Sequence, residues 1–386
     1  MTNDDKPSAS GPITAVPYDR PSLPWRASSA MITGLTGMVS RGFLYGFNKV
    51  ETTGLQRFLK ILDDREDMDK RQKGLLTVCN HVSVIDDPVL WGVLPARYLF
   101  NPPNLRWGLG AHDICFKNKA LATFFSLGQV LPTHRLLYSP HGGAFQSTMP
   151  QAIRLLSAQP FPGSQPGSAV PSLSSSFPDI SDPFTTGGLT FTTTGSDSFV
   201  APSAYAQNRL AWVHVFPEGC IHQHSALSLR YFKWGMSRLI LESEPMPDVL
   251  PMFIDGTQHM MSEDRTFPRF LPRINKTFRI AFGELVDTER TFGDLRRRWQ
   301  ELVQRETKGG KPLAMGELTD ELKYGREAIE LRTEVARRVR DEIEKLRISQ
   351  GYPEDDAKLA LAETWAREPP AKAYKSNVDD SLVRKE

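Results

Sequence analysis

Apolar positions along this 386-residue chain cluster into short runs joined by segments of helical spacing. Residues 74–79 (GLLTVC), 211–216 (AWVHVF) and 248–254 (DVLPMFI) are apolar runs of strand length, the pattern of buried strands. In 277–282 (TFRIAF), Phe278, Ile280 and Phe282 alternate with other residues, the two-residue period of a strand. Between these runs, 88–94 (PVLWGVL) starts a helix, and 119–137 (KALATFFSLGQVLPTHRLL) reads as a helix running into a strand. Leu229, Phe232, Met236, Leu239 and Ile240 share one face of a helix predicted over 229–242. Strands separated by helices predict an α/β domain with a mostly parallel sheet flanked by helices.

The same pattern sets the domain limits. Residues 1–27, rich in Pro, Ser and Asp, read as a flexible tail. Over 28–50, Ile32, Leu35, Val39 and Phe43 recur at helical spacing with Phe47 close behind. From Arg20 to Val50 no acidic residue occurs, while Arg20, Arg26, Arg41 and Lys49 are basic. This predicts an amphipathic membrane-interface helix with Leu35, Val39 and Phe43 as lipid contacts; a targeting signal, or a helix docked on the domain, shares the pattern. The main domain is expected over 51–308, interrupted at 159–208 by a Ser/Thr/Pro/Gly-rich, nearly uncharged stretch that reads as a disordered surface loop. A helical region, 309–349, follows, with Val335, Val339, Ile343 and Leu346 on one stripe. Residues 350–386 read as a flexible tail.

Charge and cysteine content narrow the function. A net charge of +2 gives no bulk basicity for nucleic acid. Three cysteines, Cys79, Cys115 and Cys220, are too scattered for a disulfide framework. No run of 18 apolar residues crosses a membrane.

Candidate chemistry sits where the buried strands end. After GLLTVC comes Asn-His-Val-Ser-Val-Ile-Asp-Asp-Pro, 80–88. Asp87 precedes Pro88 and fits a helix N-cap. Asp86 is then left to reach His81, fix its tautomer and make the second ring nitrogen a base for a hydroxyl. Ser83 lies too close along the turn for a nucleophile, and no Gly-x-Ser-x-Gly elbow occurs, so the hydroxyl belongs to the substrate. The turn Phe216-Pro-Glu-Gly219 places Glu218 and Gly219 at another strand exit, suited to the polar part of a substrate. Gly128 marks a close backbone approach, and Arg135, at a strand end, is a phosphate clamp. Arg230 and Lys233 are candidate contacts to anionic lipid. His214, His222 and His224 have no zinc-like spacing, GLG at 108–110 lacks a third glycine, and GGK at 309–311 precedes Pro312. No metal and no cofactor are expected.

His81–Asp86, Gly128–Arg135, Phe216–Gly219 and VLP at 249–251 together resemble the four blocks of the glycerolipid acyltransferase family over roughly residues 70–290. Further stretches, WGLGAHDICF (107–116) and FKWGMSRLI (232–240), resemble its transacylase branch. The second block departs from the acyl-CoA enzymes, reading Gly-Gln-Val-Leu-Pro-Thr-His-Arg. The resemblance implies a glycerolipid-acyltransferase-like domain on a membrane surface. It also implies a phospholipid–lysophospholipid transacylase whose partners are cardiolipin, monolysocardiolipin and phosphatidylcholine. It implies mitochondrial membranes facing the intermembrane space, His81 and Asp86 as catalytic pair, and Ser83, Gly128, Arg135, Glu218 and Gly219 around the substrate. The alternative within the family is an acyl-CoA-dependent lysophospholipid acyltransferase.

Overall fold

The computed structural model describes residues 20–159, 180–181, 190–310 and 313–385. Residues 1–19 of the predicted 1–27 tail and most of the predicted 159–208 loop lie outside them.

Helix α1 (Leu23–Phe47) leads into strand β1 (Lys49–Thr53). Strand β2 (Leu75–Cys79) is buried throughout and is followed by helix α2 (Asp86–Leu90). Strands β3 (Trp212–Val215), β4 (Asp248–Asp255) and β5 (Thr277–Phe282) complete a five-stranded sheet of order β1-β5-β4-β2-β3. β1 runs parallel to β5, β4 parallel to β2 and β2 parallel to β3; only β4–β5 is antiparallel. The sheet is the α/β, mostly parallel one expected from the apolar runs. Its parallel centre puts the carboxyl ends of β4, β2 and β3 along one edge, where open α/β sheets bind ligands. Helices α3 (Thr288–Thr307) and α4 (Arg326–Ser349) cover it with Phe292, Leu295, Trp299, Leu331, Val335, Val339 and Ile343.

Helix α1 begins before the predicted boundary at residue 28 and docks by its small residues. Thr33, Gly34, Gly37, Ser40 and Leu44 are buried. A Cβ at Gly34 would strike the Phe100 ring, and one at Gly37 the Leu99 side chain, so glycine here permits close packing rather than weakening the helix. Arg41 donates to the carbonyls of Gly92, Val93 and Leu94 at 3.2–3.3 Å. Leu35 and Val39 are exposed, 53% and 73%, whereas Phe43 is half-buried and packs against the core. No helix among the described residues is long and apolar enough to cross a membrane.

Three expectations need correction. The helix predicted over 229–242 shrinks to a turn at Trp234–Met236 and a short helix, Ser237–Leu241. The N–H groups of Leu229 and Arg230 bond instead to the carboxylates of Asp355 and Glu218, so no helical ladder forms there. The described end of the 159–208 stretch is not a loose loop. Residues 190–191 pair antiparallel with both 180–181 and 199–200 in a small ribbon, Phe191, Ala201 and Ala204 are buried, and Ser203 Oγ donates to Gln151 at 2.8 Å. Finally, 352–385 is packed, not flexible. Leu382–Arg384 pairs antiparallel with Ile221–Gln223, and Trp365 and Val383 are buried.

That C-terminal segment holds the site side of the sheet through charge. Asp355 accepts from Leu229 N at 2.8 Å and Arg340 at 2.9 Å, and lies 3.2 Å from Arg347. Both guanidiniums are buried and also donate to the carbonyls of 226, 227, 229 and 230. Removing one partner of a buried pair costs ~3–5 kcal/mol. Truncation after Gly351 should therefore lower the unfolding free energy by that order, read as a fall in the urea midpoint. A truncated chain as stable as the full one would contradict this packing.

Candidate active site

His81 lies two residues beyond the buried end of β2, and Asn80 before it sets its direction. The Asn80 side chain donates to Ile254 O at 2.9 Å and accepts from Ile254 N at 2.8 Å. It extends the β2–β4 pairing past the last paired residues and ties the turn to the sheet.

The chain then turns back on Asp86. One Asp86 oxygen accepts from His81 Nδ1 at 2.8 Å, Val82 N at 2.7 Å and Ser83 N at 2.8 Å. The other accepts from Thr257 Oγ1 at 2.5 Å, across from the end of β4. Asp86 is completely buried. With Nδ1 held by the carboxylate, Nε2 is the nitrogen able to take a proton. The His81 ring stacks on Phe216 at 4.4 Å between centroids, which fixes its plane.

The Pro-Glu-Gly turn plays a different part from the one expected. Glu218 is 2% exposed. Its carboxylate accepts from His81 N at 3.0 Å and Arg230 N at 3.1 Å. Burial raises its pKa, against His222 and those two N–H groups. It is a brace under His81, not a group open to glycerol. Gly219 closes the turn with its N–H on Phe216 O at 3.1 Å and takes a left-handed φ of 58°. A Cβ there would meet the Lys233 side chain, whose Nζ donates to Gly219 O at 3.2 Å.

The remaining predicted residues fall around this centre with mixed outcomes. Asp87 is not an N-cap; the cap position is Ile85. Its carboxylate instead accepts from Arg106 at 2.5 Å and Trp91 Nε1 at 3.1 Å. Burial opposes the Asp87 charge, but Arg106, His214 and the Trp91 bond hold its carboxyl below the ordinary range. Ser83 Oγ is fully buried without a hydrogen-bond partner, and so is not poised as a nucleophile. Gly128 ends the helix over 119–127, while Gln129 takes the positive φ. Arg135 is bidentate to Asp113 and donates to Lys385 O at 3.0 Å. Arg230 is 5% exposed, with its guanidinium 3.8 Å over the Trp365 ring, and cannot face lipid. Lys233 is exposed as a residue. Its ammonium is lowered in pKa, first by desolvation and then, against Cys220, by Arg230, Lys385 and Arg135. A cluster of positive charge thus lies beside the Gly219 turn.

Several working residues carried no sequence signal of their own. Thr257 and Asn80 are ordinary polar residues whose partners are over 170 positions away. Of the three histidines weighed as a metal set, His222 and His224 stack with ring centroids 6.2 Å apart, and two are taken by other partners. His214 meets Thr77 at 2.7 Å and His222 meets Asp379 at 2.8 Å. His112, His134 and Asp197 do come within 4.8 Å of one another. There Asp197 accepts from the Thr192–Thr194 turn and His134 meets Thr193 at 2.8 Å, so the cluster pins the ribbon to the body.

His214 lies on β3 under this site, 1% exposed, in edge contact with Phe216 and Trp91. Burial, then Arg106 and His81 against Asp87, pushes its pKa down to about 3. Its stabilising contribution is full above the ordinary histidine pKa of 6.5 and is lost as pH falls toward about 3, by up to ~1.4 kcal/mol per pH unit. His214→Gln should flatten the decline in urea stability between neutral pH and pH values near 4. An unchanged slope would contradict the buried neutral ring.

Two substitutions test the pair. His81→Ala should cut activity by ~10²–10⁴ and also lower stability, because it removes one of the donors that meet the buried Asp86 carboxylate. Asp86→Asn should lose activity and also ~1–3 kcal/mol of stability, because an amide turned toward converging donors leaves some unsatisfied. An Asp86→Asn chain with unchanged activity and stability would overturn the role given to this carboxylate.

Comparison with known proteins gives a consistent picture. No protein-family model matches the chain. It is 34% identical over 362 residues to the tafazzin of Saccharomyces cerevisiae, covering 91% of this chain and 86% of the relative. It is 28% identical to the tafazzin of Drosophila melanogaster, covering 76% and 64%. It is 29% identical to the N-acylphosphatidylethanolamine synthase of Arabidopsis thaliana, covering 55% and 56%. Among solved structures, a 1-acyl-sn-glycerophosphate acyltransferase of Thermotoga maritima aligns over 72% of this chain and 78% of its own. Its TM-score of 0.35 and identity of 14% are too low to add to this.

Proposed function

The chain belongs to the tafazzin family and is an acyltransferase; we propose that it moves acyl chains between phospholipids without coenzyme A, remodelling cardiolipin on mitochondrial membranes that face the intermembrane space. The observation that carries the mechanism is the His81–Asp86 contact, 2.8 Å long, at the edge where three parallel strands end.

In this mechanism Nε2 of His81 takes the proton from the free hydroxyl of a lysophospholipid such as monolysocardiolipin. The hydroxyl oxygen attacks the ester carbonyl of a donor such as phosphatidylcholine. The tetrahedral intermediate collapses, and the imidazolium, stabilised by Asp86, returns the proton to the departing glycerol oxygen. One ester forms as one breaks, so the free-energy change is near zero and no thioester is thermodynamically required. The same base serves both directions.

The side chains nearby give little support to an acyl-enzyme. Cys79 and Cys220 are buried, and desolvation raises both thiols above their ordinary pKa, which suppresses the nucleophilic thiolate. The positive charge of Lys233, with Lys385 near it, suits a lipid phosphodiester beside the Gly219 turn, whereas the Arg135 fork is taken up by Asp113. The exposed Leu35 and Val39 of α1 suit peripheral contact with the bilayer.

Purified protein, in liposomes holding phosphatidylcholine and monolysocardiolipin but no coenzyme A, should move labelled acyl chains in both directions. If label moves only when acyl-CoA is supplied, the acyl-CoA-dependent reading replaces this one.

A further inference from the structure

After Met261 the chain leaves the site edge and makes an excursion before β5. Its large apolar residues are the most exposed of any short segment described: Phe267 87%, Phe270 78%, Leu271 52% and Ile274 56%. Two aromatic rings left in water on one loop are unfavourable unless something covers them.

The excursion is nevertheless built, not loose. Its own arginines cap its carbonyls. Arg265 donates to Ser262 O and Arg269 O, Arg269 to Glu263 O and Arg265 O, and Arg273 to Thr266 O, at 2.5–2.8 Å. The guanidiniums are thereby tied close to the backbone while the apolar tips project.

Both ends are anchored to elements already given a role. At the start, Glu263 N donates to Gln223 Oε1 at 2.9 Å, and Gln223 Nε2 donates to Val82 O at 2.8 Å, next to His81. At the end, Asn275 N donates to Phe47 O at 2.8 Å, and Lys276 N to Asn48 Oδ1 at 3.0 Å. Phe47, the last residue of α1, is itself 58% exposed. The loop therefore continues the exposed side of α1 toward the catalytic turn.

Its charge identifies the occupant. Residues 262–276 open with Glu263 and Asp264 and from there carry only basic charge, Arg265, Arg269, Arg273 and Lys276, while Arg279 on β5 is already paired with Glu51 and Asp255. Apolar tips within a ring of cations match the interface of an anionic bilayer, where rings enter the acyl boundary and cations meet phosphate.

We propose that residues 262–276 form a second membrane-inserting element, which docks the mouth of the His81 site onto an anionic phospholipid bilayer. The proposal rests on the lipid-transfer reading above and adds the surface through which lipid is reached. Sequence patterning pointed only to α1 and the Lys233 region, because this loop has no helical period.

The test uses the full chain carrying Phe267→Ser, Phe270→Ser and Leu271→Ser together. Cosedimentation is measured with vesicles of phosphatidylcholine alone and of phosphatidylcholine with phosphatidylglycerol. Acyl transfer is measured in those vesicles and in detergent-dispersed lipid. Wild type should bind the anionic vesicles more tightly. The triple variant should bind them at least ~10-fold more weakly, lose transfer in vesicles in proportion, and keep wild-type transfer in detergent. Undiminished binding by the variant, beside release of a Leu35→Asp, Val39→Asp chain, would overturn the loop proposal and leave the lipid-transfer reading intact. So would a loss confined to self-association or to a protein partner. Wild type that transfers acyl groups in detergent but binds neither vesicle would also overturn it. Wild type without transfer in any lipid would remove the reading beneath it.

Discussion

The Asp86 carboxylate is the group on which the site depends. It is removed from water and surrounded by four donors: an imidazole, two backbone N–H groups and the hydroxyl of Thr257, just beyond the end of β4. A buried carboxylate is tolerated only when it is met in this way. The same bonds that satisfy the charge fold residues 81–86 into their turn and set the histidine tautomer. Folding and chemistry therefore share one interaction, and a change at Asp86 affects both.

Around that group the structure supplies braces that reach far along the chain. Glu218 joins the N–H of His81 to that of Arg230. Arg340 of α4 holds the carbonyls of Leu229 and Arg230, and Asp355 joins Leu229 N to Arg340. A continuous line of charge-assisted hydrogen bonds thus runs from the C-terminal segment to the backbone of the base. Such bonds are stronger than neutral ones, and in a buried setting they hold geometry rather than merely add stability. Of the two cations that the sequence assigned to lipid, Arg230 is spent inside the protein, where Arg332, Arg340 and Arg347 are buried as well.

What was legible in the sequence followed from local pattern. The apolar runs located β2, β3, β4 and β5, and the four-residue gap between His81 and Asp86 gave the pair that the fold brings into contact. What was hidden depends on pairs distant in sequence. Asp87 next to Pro88 looked like a helix cap, yet Arg106 claims its carboxylate. The residues at 229–233 carry a helical apolar period, yet two carboxylates take the N–H groups that a helix would need. The segment after Gly351 is polar and aperiodic, and only its partners, Asp379 on His222 and Asp355 on α4, show that it belongs to the body. Composition likewise concealed the packed end of the Ser/Thr-rich stretch, where a few aromatic residues decide the structure.

The central claim is that Asp86 fixes the His81 imidazole with its proton on Nδ1 and leaves Nε2 as the base. Nitrogen-15 NMR of histidine-labelled protein reports this directly, with His81→Gln identifying the resonance. The account predicts a protonated Nδ1 with the downfield proton of a carboxylate hydrogen bond, an unprotonated Nε2 in the neutral ring, and loss of that proton signal in Asp86→Asn. A neutral ring protonated on Nε2, or a spectrum unchanged by Asp86→Asn, would contradict it.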